Sequence, residues 1–192
     1  MDNYEQLIAG FERIGTLIRK LLWENSFNVG LNPIQLQILF FCKQQNKRKV
    51  YPTKLSEFFG VSLPSLSDSL NSLIKKGLIK KTKDKSDKRI SYISLTRKGQ
   101  KLLKELSNWD APLKSVLNKI DNEEIKNSYY FLLTFLRELL DIGMMQHLNM
   151  CFTCQYLSIN ENGEPEYFCN FLKSTLKKEQ LRIDCPDHLR KE

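Results

Sequence analysis

Up to about Met145 the apolar positions fall mostly at helical spacing, and beyond it the helical period fades. Leu7, Phe11, Ile14, Ile18 and Leu21 alternate fours and threes, which predicts a helix over about residues 4–24 carrying a heptad seam. Such a seam suits an amphipathic helix lying on its own domain, or one shared with a second subunit. Asn32-Pro33 opens the next helix, with Gln35 placed to close a capping box on Asn32. Ile34, Leu36, Ile38, Leu39, Phe40 and Phe41 make it apolar on most sides, the pattern of a buried central helix. Cys42 among such neighbours reads as a small core residue rather than a redox sensor.

The stretch from Pro52 to Thr96 predicts a winged helix-turn-helix. Pro52 opens a short helix with Leu55, Phe58 and Phe59 inward, stopped at Gly60. Ser62 is a good N-cap for the second helix, and Pro64 is tolerated in a first turn. Leu66, Leu70, Leu73 and Ile74 then form one apolar stripe, and Pro64, Asp68, Asn71 and Lys75 line the opposite side. That outward stripe is polar and short-chained, a surface able to enter a DNA major groove. Gly77 sits where a left-handed cap would end the helix. Leu78-Ile79 begins a strand, and Ile90, Tyr92, Ile93 and Leu95 mark its returning partner. The tip between them carries Lys80, Lys81, Lys83, Lys85, Lys88 and Arg89, a wing suited to phosphates.

At these residues the chain resembles a known family. Asp87-Lys88-Arg89 followed by Leu95-Thr96-Arg97-Lys98-Gly99 resembles the D-x-R…L-T-x-x-G wing signature of MarR-type winged-helix regulators. Leu73-Ile74-Lys75-Lys76-Gly77-Leu78-Ile79 is similar to that family's L-x-x-x-G-L-[IV] exit from the recognition helix. The resemblance covers roughly the first three quarters of the chain. It implies a dimeric DNA-binding regulator in which Arg89 reaches into the minor groove and Asp87 orients it. It also implies that a small-molecule effector can bind between the dimer helices and the DNA-binding lobe, with no residue here assigned to one. Asp68 departs from the basic residue that many members carry, so the target sequence does not transfer.

After the wing, Leu102, Leu106, Trp109, Leu113, Val116 and Ile120 repeat the heptad seam, with Pro112 set to kink or break it. Asp121 caps a last long helix, with Glu124 at the capping-box position, and Ile125, Tyr129, Leu132, Leu136 and Leu139 form a third seam. Three seams are more apolar surface than a helix-turn-helix module buries alone. Pairing into a twofold homodimer solves this and presents two recognition helices to a palindromic site.

From residue 146 cysteine, aromatic and turn residues take over, which divides the chain into a domain over 1–145 and a tail over 146–192. Cys151-Phe152-Thr153-Cys154 forms a C-x-x-C knuckle, followed by Cys169 and by Cys185-Pro186. Gly163 and Pro165 mark a loop, and Phe171, Leu172 and Leu176 suggest a short amphipathic helix. So small a segment needs a staple, and four thiolates on one metal supply folding energy. Cys151, Cys154, Cys169 and Cys185 are therefore expected to hold one centre, an iron–sulfur cluster favoured over zinc because only one C-x-x-C knuckle is present. Phe152, Tyr156, Tyr167 and Phe168 are placed to shield it, and two disulfides are the alternative in an oxidising compartment. His147 and His188 flank the set and read as surface residues rather than ligands.

Composition narrows the function. A net charge of +8 favours a polyanionic partner such as double-stranded DNA. No stretch approaches the roughly 18 apolar residues of a membrane span, and the polar, acidic start is unlike a signal peptide, so a cytoplasmic location is expected. Neither histidine sits in a nucleophile, phosphate-loop or zincin motif, which argues against an enzyme. The expectation is a DNA-binding transcriptional regulator with Ser65, Asp68 and Asn71 on base edges, Lys75 beside them on the DNA-binding stripe, Lys83, Lys85 and Lys88 on phosphates and Arg89 in the minor groove. Its affinity would respond to the state of the tail. The alternative is a protein–protein adaptor with a structural zinc.

Overall fold

A computed structural model describes residues 2–45, 49–85, 87–145, 148–160 and 166–191. His147, Gly163 and Pro165, singled out above, lie outside the described residues. The chain forms two compact units, residues up to 56 with 61–114, and residues 57–60 with 115–192.

The first unit opens on α1 (Asn3–Asn28), where Asp2 and Glu5 close a capping box: each side chain accepts the other's backbone N–H, at 2.8 and 3.0 Å. Of its side chains only Leu22 and Ser26 are buried. Leu7 and Ile14 of the predicted seam remain 42% and 54% exposed, and Trp23 and Phe27 are exposed beside them. Phe11, Ile18 and Leu21 of the same seam are half-buried, so it is partly covered within its own unit. α2 (Pro33–Gln44) carries the expected box between Asn32 and Gln35 and buries Leu36, Ile38, Leu39, Phe41 and Cys42. Burial pushes the Cys42 thiol up to about 12, so it stays protonated and inert.

α3 (Pro52–Phe59) turns into α4 (Leu63–Lys75) through a tight connection. The Val61 N–H donates to the Ser56 carbonyl at 3.1 Å, and the Ser56 hydroxyl donates to the Val61 carbonyl at 2.6 Å. Gly60 takes a φ of 61° there, in the left-handed region that penalises a side chain. α4 buries Leu66, Leu70 and Leu73, and Ile74 is half-buried.

Strands β1 (Ile79–Lys83) and β2 (Ser91–Leu95) pair antiparallel, with Ile79 opposite Leu95 and Lys83 opposite Ser91. Ile90, expected in the strand, is exposed and lies before it. A third partner arrives from the α2–α3 connection: Val50 bridges Ile93, whose N–H donates to the Val50 carbonyl at 2.7 Å. Both side chains are buried, which anchors the wing in the core.

The exit of α4 and the end of the wing are tied together. The Thr96 N–H donates to the Leu78 carbonyl at 3.0 Å, and its hydroxyl lies 2.7 Å from the Gly77 carbonyl and 3.1 Å from that of Leu78. The same hydroxyl accepts the Gly99 N–H at 3.1 Å and so caps α5 (Arg97–Glu105). A Cβ on Gly99 would collide with the Leu78 carbonyl. The helix then breaks rather than kinks: α5 ends at Glu105 and α6 (Ala111–Leu117) restarts with Pro112 in its first turn, where a missing N–H is harmless.

The second unit is built on α7 (Asn122–Asp141). Asp121 caps it by accepting the N–H groups of Glu123 and Glu124, at 2.8 and 3.4 Å, without a return bond from Glu124. Its buried residue is Leu133, not a member of the predicted seam. Leu133 joins Met150, Leu157, Tyr167 and Leu181 in a core against which Tyr129, Tyr130, Leu136 and Leu140 pack. The seam of Ile125, Leu132 and Leu139 is only half-buried. The tail forms a three-stranded antiparallel sheet of β3 (Leu157–Asn160), β4 (Glu166–Cys169) and β5 (Ser174–Leu176), in that order. The helix expected at Phe171, Leu172 and Leu176 is therefore replaced by a turn and a strand. Lys173 has a φ of 52° there, which no right-handed helix admits.

Two outcomes follow. Thr96→Val should cost about 1–2 kcal/mol in urea unfolding through the lost cap, and Gly99→Ala about 1–3 kcal/mol through overpacking; unchanged midpoints would contradict the tie. Iodoacetamide should leave Cys42 unmodified in the native protein by mass spectrometry and label it after denaturation. Labelling of the native state would contradict the burial described here.

Candidate nucleic-acid interface and a cysteine-lined cavity

The exposed face of α4 carries the predicted groups. Ser65, Asp68, Asn71 and Lys75 are all exposed, and Ser67 stands among them. Ser65 is partly committed to the helix start: its N–H donates to the Ser62 hydroxyl at 3.3 Å and the two hydroxyls share a 2.9 Å bond. Asp68 and Asn71 stand one turn further along the exposed face. Leu63, 46% exposed at the first turn, adds an apolar tip that the periodicity did not mark as surface.

The wing brings its cations to the surface and accounts for its anions internally. Lys80, Lys81, Lys83, Lys85 and Lys88 are exposed. Asp84 is buried, accepting from Lys49 Nζ at 2.7 Å and from the Tyr51 hydroxyl at 3.2 Å. The hydrogen bond it donates to Asp84 holds the Lys49 ammonium above its ordinary pKa, and the same ammonium lies 5.5 Å from the Tyr92 ring centroid. The tip is closed by backbone bonds from Asp84 N–H to the Ile90 carbonyl and from Ile90 N–H to the Asp87 carbonyl.

Asp87 accepts the Arg89 backbone N–H at 2.9 Å and grips the guanidinium through Nε at 3.1 Å and Nη2 at 2.9 Å. The Arg89 guanidinium holds the Asp87 carboxyl below the usual carboxylate range. Arg89 is nevertheless 90% exposed, so it is oriented without being covered. Lys49, Tyr51 and Asp84 were not among the predicted site residues. Only their long sequence separation hid them, because nothing local pairs residue 49 with residue 84.

In the second unit all four tail cysteines line one cavity of about 620 Å³, together with Tyr129, Tyr156, Phe171, Leu172 and Leu181. Cys151 and Cys154 are buried, and Cys169 and Cys185 are partly exposed; all carry free thiols. Burial raises the Cys151 thiol, opposed by the Arg182 N–H, which donates to its sulfur at 3.2 Å. Among the described residues, no three His, Cys, Asp or Glu side chains are gathered closely enough to hold a metal ion. Of the predicted shielding aromatics, Tyr156 lines the cavity, Phe152 and Tyr167 pack edge to face in the core, and Phe168 is exposed. His188 is not a surface residue. It is buried, with Nε2 2.9 Å from the Thr153 hydroxyl. Tyr129 places the cavity beside the first half of α7.

No helix among the described residues is long and apolar enough to cross a membrane. Residues 29–90 match the sequence model of the MarR family. Among solved structures the chain is similar to the MarR family transcription regulator SP03579, with a TM-score of 0.63 and 16% identity over 76% of this chain and 95% of that one. It is also similar to MepR of S. aureus in complex with DNA, with a TM-score of 0.60 and 21% identity over 72% of this chain and 100% of that one. A third is Sco3205 of Streptomyces coelicolor, a MarR family transcriptional regulator in complex with DNA, with a TM-score of 0.58 and 21% identity over 76% and 94%. Part of this chain stays outside each match. What is shared at these identities is the fold: a mainly helical winged helix-turn-helix of the MarR type with a small antiparallel wing.

Proposed function

We propose that the protein is a dimeric DNA-binding transcriptional regulator that reads a palindromic operator with α4 and the wing. The observation that carries this is the charge arrangement of the wing. Both of its described acids are engaged by cations of the same unit, Asp84 by Lys49 and Asp87 by Arg89, and five lysines are left facing solvent. Such a surface binds phosphates, while Asp68 and Asn71 offer acceptor and donor groups for base edges. Arg89, held in one orientation by Asp87, suits the narrow minor groove. The MarR-type neighbours in complex with DNA support the reading.

The exposed Leu7 and Ile14 of α1 and the exposed Val116, Leu117 and Phe131 of the second unit supply apolar surface that a twofold partner would cover. α7 holds the tail core on one face and a half-buried seam on another. A change in the cysteine cavity would thereby reach the dimer and alter DNA affinity, with a coupling of typically about 1–3 kcal/mol. An effector between the dimer helices and the DNA-binding lobe remains part of this reading, without an assigned residue.

Sedimentation should report a dimer at micromolar concentration, and selection from random duplexes should return a palindrome. A monomer without duplex affinity at low salt would overturn the proposal. Asn71→Ala should relax specificity at one base position by about 1–3 kcal/mol, whereas Lys85→Ala should weaken all duplexes alike and reduce the salt slope by about 1. Asp87→Asn should weaken binding although it removes a negative charge, because Arg89 loses its anchor. A gain in affinity for that variant would show that Arg89 works as a free cation only.

A further inference from the structure

We propose that Cys151, Cys154, Cys169 and Cys185 ligate an iron–sulfur cluster of the four-iron type within the cavity they line. This goes beyond the regulator reading and does not depend on it. The four thiols come from separate pieces of chain: the short 3-10 turn Cys151–Thr153, its exit, the end of β4, and the closing loop. Hydrogen bonds converge these pieces on one place. The Cys151 N–H donates to the Arg182 carbonyl at 2.9 Å, the Cys185 N–H to the Asn149 carbonyl at 2.9 Å, and the Gln155 N–H to the Leu189 carbonyl at 2.7 Å. Cys154 also bridges Arg190 across the closing segment. A fold that wanted four small core residues would have no reason to aim every one of them at the same space.

The donor set and its spacing along the chain bear on the occupant. A single zinc ion at about 2.3 Å from each sulfur draws four thiolates to within about 3.8 Å of one another and leaves a closed site. Here one C-x-x-C knuckle is joined by two separate cysteines, Cys169 and Cys185, where structural zinc sites commonly use paired close spacings. A four-iron cluster is a body in its own right, held at its corners by four thiolates. Each thiol would lose its proton to solvent as its iron–sulfur bond forms, with two ferrous ions, two ferric ions and four sulfides as co-reactants, so that no net oxidation is needed.

The surroundings suit such a body. The Arg182 N–H already points at the Cys151 sulfur, the kind of bond by which a protein offsets charge on a ligating sulfur. Tyr156, Phe171 and Leu172 line the same cavity, and the Tyr156 and Phe171 rings lie 5.4 Å apart. These side chains would limit water at the cluster. The strands of the tail are only three or four residues long, so a ligand that ties four of its segments together would also supply folding energy.

The test is anaerobic reconstitution of the full chain with iron and sulfide, followed by metal and acid-labile sulfide analysis and visible absorption. About four iron and four sulfide per chain, with broad sulfide-to-iron charge-transfer absorption, are expected. Cys169→Ala and Cys185→Ala, at the partly exposed positions, should each abolish the four-iron content while circular dichroism shows the helices intact. Cys42→Ala should retain it. Zinc without sulfide in the protein as purified and after reconstitution, no metal at all, or full loading of Cys185→Ala would each overturn the assignment. None of these readouts involves DNA, so their failure leaves the regulator reading untouched.

Discussion

The Leu78 carbonyl is the point on which the winged helix-turn-helix turns. It accepts the Thr96 N–H, lies beside the Thr96 hydroxyl, and occupies the space that any side chain at residue 99 would need. Three elements therefore have one junction: α4 leaves through Gly77, the wing returns through Leu95, and α5 starts at Thr96. The orientation of the wing relative to α4 is set there by backbone groups rather than by long side chains. That is the physical content of the two short motifs by which the sequence resembles MarR-type regulators. Glycine at 77 supplies a φ of 69°, glycine at 99 supplies contact distance, and threonine supplies one hydroxyl for two jobs.

Features written locally were legible before the structure. The capping box of Asn32 and Gln35, the Ser62 cap and the left-handed stops at Gly60 and Gly77 each depend on residues within a few positions of one another. The exposed face of α4 followed from the same period that placed Leu66, Leu70 and Leu73 inside. What escaped was non-local. Val50 joins the wing across a connection of unpredictable path, and Asp84 reads as one more charge of the tip until Lys49 and Tyr51 are folded against it.

The tail shows the limit most clearly. Periodicity on α7 suggested one seam from Ile125 to Leu139, but its members divide: Tyr129 and Leu136 pack against the core around Leu133, while Ile125, Leu132 and Leu139 are half-buried. Strands of three and four residues carry too short a pattern to compete with a helical reading, which is why Phe171, Leu172 and Leu176 misled. Cysteine spacing fared differently. It groups four positions for one metal centre; all four line one cavity, among the described residues no three candidate ligands are close enough to hold an ion, and metal binding stays a proposal.

The central claim is that the polar face of α4 and the tip of the wing form one surface for duplex DNA. Amide chemical-shift mapping of the labelled chain, titrated with a duplex selected by the protein, tests it most directly. Perturbations concentrated at Ser65, Asp68 and Asn71 of α4 and at Lys85 to Arg89 of the wing are the predicted result. A titration in which those amides stay unmoved while others shift would contradict the account.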